Sequence, residues 1–294
     1  VISAFNETAA KEFVGHYSDI PEELALRIYT SHLIGRNPDL VLHGGGNTSV
    51  KLNQKNIFKE NQEILYVKGS GVDLATIEPE GFSGLDLSFL RKLRNLDSLS
   101  DDEMENQLEL RKVESSSPNP SVEALLHAFL PHKYIDHTHA DSVLILTNLK
   151  HGRSLIKEAL GSKVSVLPYT MSGLPLAKEV VSQYEKNTDV EAIVILNHGI
   201  FTFGEDPRTS YERMIEYVNK AESFIKKEMR GKALITPRTD ISSFKNMEAA
   251  PARVAQTLRG VCAHQASNGN LRRFYAETRN EPDLLNFSLS REAQ

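Results

Sequence analysis

One cysteine, Cys262, is all the thiol chemistry these 294 residues hold. A disulfide within the chain and any Cys-rich zinc module are excluded, so metal ligands must come from His, Asp or Glu. Such thiol scarcity suits a reducing cytoplasm, which is the expected location. No run of 18 apolar residues occurs, and the opening VISAFNETAAKEF has neither the basic start nor the apolar stretch of a signal peptide. No membrane span is expected. Excess positive charge is missing too: 34 Lys and Arg against 39 Asp and Glu leave a net charge of -5. A nucleic-acid surface, which needs a basic stripe, is therefore not expected. GxxxxGK[ST] and GxGxxG loops are absent, which removes the usual ATP and dinucleotide sites. Absence of HExxH and GxSxG removes the helical zinc-hydrolase and nucleophilic-serine arrangements.

What is present is an ordinary globular composition, 40% hydrophobic and 25% charged, with length for about two domains or one α/β domain plus additions. Pro21 to Gly35 reads as an amphipathic helix with Pro at its start and Gly at its end. DLVLHGGGNTSVKL reads as two strands joined by a glycine turn, and ILYVK as a strand ended by KGSG. The charged stretch FLRKLRNLDSLSDDEMENQLELRKV reads as a surface hairpin of helices, inserted at about 88–118 and closed by the Ser/Pro loop SSSPNPS. Ser121 reads as the N-cap of a short helix, VEALLHAFL. YIDHTHADSVLILT, VSVLPY and AIVILNHGIFTFG read as strands, and DPRTSYERMIEYVNKAESFIKKEM as a long helix opened by Pro207 and closed by Gly231. The expected layout is a domain over 1–232 followed by a polar extension over 233–294.

The sharpest chemical signal is His137-Thr138-His139, because a period of two puts both imidazoles on one strand face. His198, in LNHG at the end of another apolar strand, is the third candidate. Three neutral imidazoles with an open fourth position describe a catalytic zinc site acting as a Lewis acid. Glu123, one turn from His127 on the preceding helix, is a surface glutamate when read alone. Beside a metal, it becomes a candidate acid/base. His127 and His132 read as packing or hydrogen-bonding residues rather than ligands. HGGGNTS and KGSG, both placed after strands, can turn backbone N–H groups toward an anion such as phosphate, although a Gly cluster between strands is more often only a turn.

Taken in order, GGGNTSVK, KGSG, PSVEALLHAF, DHTHAD and ILNHGIFTFGED resemble the class II aldolase and adducin head family over about residues 20–230. KGSGVDLATIEPEGF and PSVEALLHAFLPHKYIDHTHAD look most like the aldolase portion of bifunctional rhamnulose-phosphate aldolase/alcohol dehydrogenases. The resemblance implies a single α/β/α domain around a mostly antiparallel sheet, in a homotetramer. It implies one Zn²⁺ per chain on His137, His139 and His198, and Glu123 as the acid/base. Gly46, Asn47, Ser70, Gly71 and Ser121 fall where family members hold the substrate phosphate. The implied reaction is retro-aldol cleavage of a rhamnulose-1-phosphate-like ketose to dihydroxyacetone phosphate and an aldehyde. Sugar-phosphate dehydratases and epimerases share the scaffold, as do adducin-like interaction modules without a metal; aspartate at the position of Glu123 is typical of the epimerases. Family fuculose-phosphate aldolases place a tyrosine acid before the Pro-Tyr segment, yet Asp141 to Leu167 contains no tyrosine, and Tyr169 matches only the later position. The dehydrogenase domain of the bifunctional relatives, with its Gly-rich nucleotide loop, is not found in these residues, so a stand-alone domain and a fragment both fit. LRGVCAHQASNGNLRRFYAETRN reads as a connector remnant, a lid or a tetramer contact.

Overall fold

The computed structural model describes residues 1–229 and, beyond them, the two-residue strands His264–Gln265 and Leu271–Arg272, which pair antiparallel. The chain falls into two compact units, Val1–Arg230 and Gly231–Gln294. The expectations for 233–294 otherwise lie outside the described residues.

The first unit is built on a seven-stranded sheet. Its strands are β1 (Asn47–Lys55), β2 (Asn61–Lys68), β3 (Phe82–Asp86), β4 (Tyr134–Thr138), β5 (Val164–Leu167), β6 (Ala192–Ile195) and β7 (Gly199–Gly204), in the order β3-β2-β1-β4-β7-β6-β5. Every pairing is antiparallel except β5 with β6. A parallel pair needs a crossover, and the helix α8 (Leu174–Lys186) supplies it. On one face, helices α3 (Leu87–Leu93), α4 (Asp101–Glu109), α5 (Ala124–Phe129) and α8 pack on Leu65, Val67, Ile135, Phe201 and Phe203. On the other, α6 (Asp141–Thr147), α7 (Gly152–Leu160) and α9 (Pro207–Met229) cover Ala192, Val194 and Ile200, while α2 (Glu22–Gly35) covers Val50, Leu52 and Tyr134. Helix α1 (Glu7–Gly15) opens the chain. The result is an α/β fold, a mostly antiparallel sheet between two helical layers.

Four local readings change. Asp39 to His43 forms no strand: Leu40 and Val41 both donate to the Asn37 carbonyl, so the chain makes a helical turn instead, and HGGGNTS follows a turn rather than a strand. ADSVLILT is α6, not strand, because Ser142, Val143, Leu146 and Thr147 bury one face at helical spacing despite the β-branched composition. The 87–109 helices are not a surface hairpin: Leu90, Leu93, Met104 and Leu108 belong to the core. Ser121 does not cap α5; Glu123 itself is the N-cap, and the Ser121 hydroxyl accepts from the Glu123 N–H at 3.2 Å.

Candidate metal centre

Sheet pairing assembles the three histidines. In register, His137 on β4 faces Asn47 of β1 on one side and Phe201 of β7 on the other. Its ring stacks on Phe201 at 3.9 Å between centroids, which fixes its orientation. His139 lies just past the end of β4, and His198 sits in the tight turn between β6 and β7. One nitrogen from each of His137, His139 and His198 lies within 4.8 Å of the others. Exposure is graded: His137 is buried, His198 half-buried and His139 exposed, so the cluster opens to solvent on one side.

Two glycines allow this closeness. A Cβ on Gly199 would meet the Thr138 carbonyl at 2.5 Å and His137 Cε1 at 2.8 Å. At Gly46, whose φ is +64°, a Cβ would meet the His137 carbonyl at 2.7 Å.

The donor set fits a divalent cation such as zinc. His137 Nδ1 is 3.0 Å from the Ile200 carbonyl, which can only accept, so Nδ1 carries the proton and the Nε2 lone pair is left for a metal. Nε2 of His137 and Nε2 of His139 are 3.0 Å apart. Burial lowers the His137 imidazole to about 3, so it is neutral and competent as a ligand at neutral pH. Burial also lowers His139.

Glu123 joins the cluster from α5. One carboxylate oxygen lies 2.9 Å from His198 Nε2, and the other 3.4 Å from His137 Nε2 and in hydrogen-bond contact with the Asn47 amide. Burial pushes the carboxyl up, but the neighbouring His137 and His198 imidazoles outweigh it and hold the group below the usual carboxylate range. A buried, ionised carboxylate therefore faces the imidazoles.

The glycine-rich segments meet beside this cluster. Lys68 Nζ donates to the Gly44 and Val72 carbonyls at 2.6 and 2.8 Å, tying GGG to KGSG. Ser70 N–H donates to Asn119 at 2.8 Å, and Gly69 bridges Pro120, tying KGSG to the segment that leads to Ser121. Ser70 and Gly71 are exposed and Ser121 is buried. The Asn47 amide is directed to Glu123 in this structure. His127 and His132 are not among the three converging imidazoles: His127 is buried against Ser49, and His132 stacks on Phe203 at 4.3 Å. Sequence reasoning missed Phe201 and Lys68. The KGSG motif already contained Lys68, but nothing in the spacing announced that Phe201 would stack on His137.

Residues 26–225 match the model of the Class II Aldolase and Adducin N-terminal domain, and the chain belongs to that family. It is 42% identical to the N-terminal class II aldolase domain of a conserved protein from Thermoplasma acidophilum, with a TM-score of 0.65 over 71% of this chain and 94% of that one. It is 36% identical over 208 residues to the uncharacterized oxidoreductase YuxG of Bacillus subtilis, covering 71% of this chain and 30% of that protein. The chain thus spans about 30% of the length of that curated relative. A sugar-phosphate aldolase from Thermotoga maritima, 16% identical, shares the fold with a TM-score of 0.54 over 76% of this chain and 98% of that one. No helix among the described residues is long and apolar enough to cross a membrane.

Proposed function

We propose that this chain is a zinc-dependent aldolase that cleaves a phosphorylated ketose of the rhamnulose-1-phosphate type to dihydroxyacetone phosphate and an aldehyde. The observation that carries the reading is the convergence of three imidazoles within 4.8 Å on a carboxylate 2.9 Å from one of them. His137, His139 and His198 would hold the cation, one per chain. Bound there, it supplies Lewis acidity toward the carbonyl and hydroxyl oxygens of the ketose. In the cleavage the C3–C4 bond breaks, its electron pair stays on C3, and the C4 hydroxyl loses its proton as the aldehyde leaves. The ionised Glu123 carboxylate takes up the C4 hydroxyl proton and returns it to C3, which completes dihydroxyacetone phosphate. Its burial excludes bulk water from that transfer.

The three joined segments would offer the Ser70 and Ser121 hydroxyls and the Gly46 and Gly71 N–H groups to the phosphate, and Asn47, next to Gly46, donates to Glu123. The glutamate at position 123 favours cleavage over epimerisation and keeps dehydration as the competing chemistry. The length and name of the Bacillus relative fit an aldolase portion that works beside a dehydrogenase. Assembly is read as a homotetramer in the cytoplasm.

Metal content tests the reading first, by mass spectrometry on protein purified without added metal. About one zinc per chain is expected, and its loss in a His137→Ala/His139→Ala variant. Ketose 1-phosphates are then screened. Two smaller carbonyl products support cleavage, whereas an intact dehydrated skeleton makes the chain a dehydratase. Metal loss in His139→Ala with undiminished turnover overturns the zinc mechanism.

A further inference from the structure

Glu123 is the one member of the cluster that comes from α5, and α5 is an unusual support. It has six residues and no side-chain cap. A helix so short does not hold itself together in water, so its place must be set by what it packs against. All six side chains, ALLHAF, are buried. Apolar packing is non-directional and by itself leaves the register of a short helix weakly specified. Its acid/base partner site tolerates no such freedom.

The polar side chains of β1 that face α5 remove it. Asn47, Ser49 and Lys51 alternate along the strand onto the same face, about 7 Å apart per step. Asn47 donates to Glu123 at the start of the helix. Ser49 Oγ is 2.7 Å from His127 Nδ1, one turn further on. Lys51 Nζ donates to the Leu130 and His132 carbonyls, both at 2.6 Å, at the helix end. A strand and a helix running side by side are thus joined at beginning, middle and end.

These groups are held in the interior at a cost. Ser49 and His127 are fully buried and Lys51 is 9% exposed. Burial lowers the Lys51 amine to about 7 and the His127 imidazole to about 3, and His127 Nε2 has no partner. Apolar residues would spare the burial of an amine and an imidazole, at the loss of the donor to the Leu130 and His132 carbonyls. What they would not do is fix a register.

We infer that Ser49 and Lys51, acting through His127 and through the Leu130 and His132 carbonyls that follow α5, are positioning residues that lock α5 along β1 and so hold the Glu123 carboxylate against His137 and His198. β1 is itself in register with β4 at Asn47 and His137, so one strand gauges both the carboxylate and the first imidazole. The acid/base role assigned to Glu123 in this inference rests on the aldolase reading above; its position does not.

The test uses the full chain with Ser49→Ala, Ser49→Thr and Lys51→Met. Zinc affinity, measured by chelator competition, is expected within about threefold of wild type, because the three imidazoles are carried by β4 and the β6–β7 turn. Deuterium exchange into dihydroxyacetone phosphate in D₂O, followed by proton NMR, is expected to slow on the order of 10- to 100-fold in Ser49→Ala and Lys51→Met. Ser49→Thr keeps the hydroxyl and is expected to restore it. Wild-type exchange rates in Ser49→Ala and Lys51→Met overturn the inference. If the zinc-loaded wild type itself leaves the protons unexchanged, the aldolase reading fails, and crystal structures of the variants decide the positioning role. A Glu123 carboxylate still 2.9 Å from His198 then overturns it, and a displaced one supports it. Should Lys51→Met not fold, the Ser49 pair gives the same decision.

Discussion

The two faces of β4 carry two clusters of polar groups, begun one residue apart at Asp136 and His137, with opposite characters. Asp136 points to the face covered by α2 and α9, where it pairs with Arg27 at 2.6 Å and accepts from Ser210. Arg27 and Asp136 are both fully buried, and Arg27 also donates to Thr30 at 2.6 Å. His137 points to the other face and begins a cluster that runs out to the exposed His139. The first cluster is an ion pair of two fully buried side chains, with Arg27 Nε and Nη1 left without hydrogen-bond partners. The second gathers three groups of one kind, their nitrogens close enough to repel if protonated, around a single carboxylate and open on one side. Burial of charge alone does not mark a functional site. An incomplete, solvent-accessible set of donors does.

The comparison breaks most visibly at the closed pair. Asp136→Ala leaves the Arg27 guanidinium buried without its counter-ion, and a loss of about 3–5 kcal/mol in unfolding free energy is expected from urea titration. The double variant Arg27→Met/Asp136→Leu is expected to recover most of that loss, since it removes both charges together. Zinc uptake by the double variant is expected to stay at about one per chain, because no metal ligand is touched. A double variant that folds well but binds no zinc would show that the two faces of β4 are one functional unit.

The same strand shows how much the sequence disclosed. Period-two alternation was enough to put His137 and His139 on one side, and the LNHG turn was enough to nominate His198. The long helix α9 was legible because Pro207 opens it and its apolar residues repeat at helical spacing. Two kinds of information were not local. The helical turn at Asn37–Val41 and the helix α6 carry strand-like residues whose conformation is settled by where they are buried, not by composition. The ties of Asn47 to Glu123 and of Lys68 to Gly44 join segments brought together only by the sheet and its loops, so single-segment reading could not find them. The ion pair of Arg27 with Asp136, 109 positions apart, left no signal at all in either segment.

A ligand that binds only the folded state stabilises it, and here the effect should be confined to the open cluster. Zinc at about 100 times its dissociation constant is expected to add about 2.7 kcal/mol to the stability of the wild type. The His137→Ala/His139→Ala variant is expected to melt at the same temperature with and without zinc, and the Arg27→Met/Asp136→Leu variant to gain as much as wild type. Thermal melts of the three chains in chelator and in buffered zinc make the measurement. Equal zinc stabilisation in the histidine variant would place the metal elsewhere in the molecule.

The smallest effect lies at the rim of the open cluster, in the residue before His198. Asn197 has φ +59°, a left-handed conformation that costs a side-chain-bearing residue about 1–2 kcal/mol and that asparagine tolerates better than most. Its amide donates to Asn148 at 2.7 Å, and the turn it makes aims His198 back toward His137. The closed pair on the other face has no such residue: Asp136 lies in regular strand and Arg27 in regular helix. Asn197→Gly keeps the turn accessible and is expected within about 0.5 kcal/mol of wild type, with zinc affinity nearly unchanged. Asn197→Val adds a branched side chain where left-handed backbone is least tolerated, and is expected to destabilise the chain by about 1–2 kcal/mol while weakening zinc. If the valine variant binds zinc as tightly as the glycine variant, His198 is held by its own contact with Glu123, and the turn serves only the chain reversal between β6 and β7.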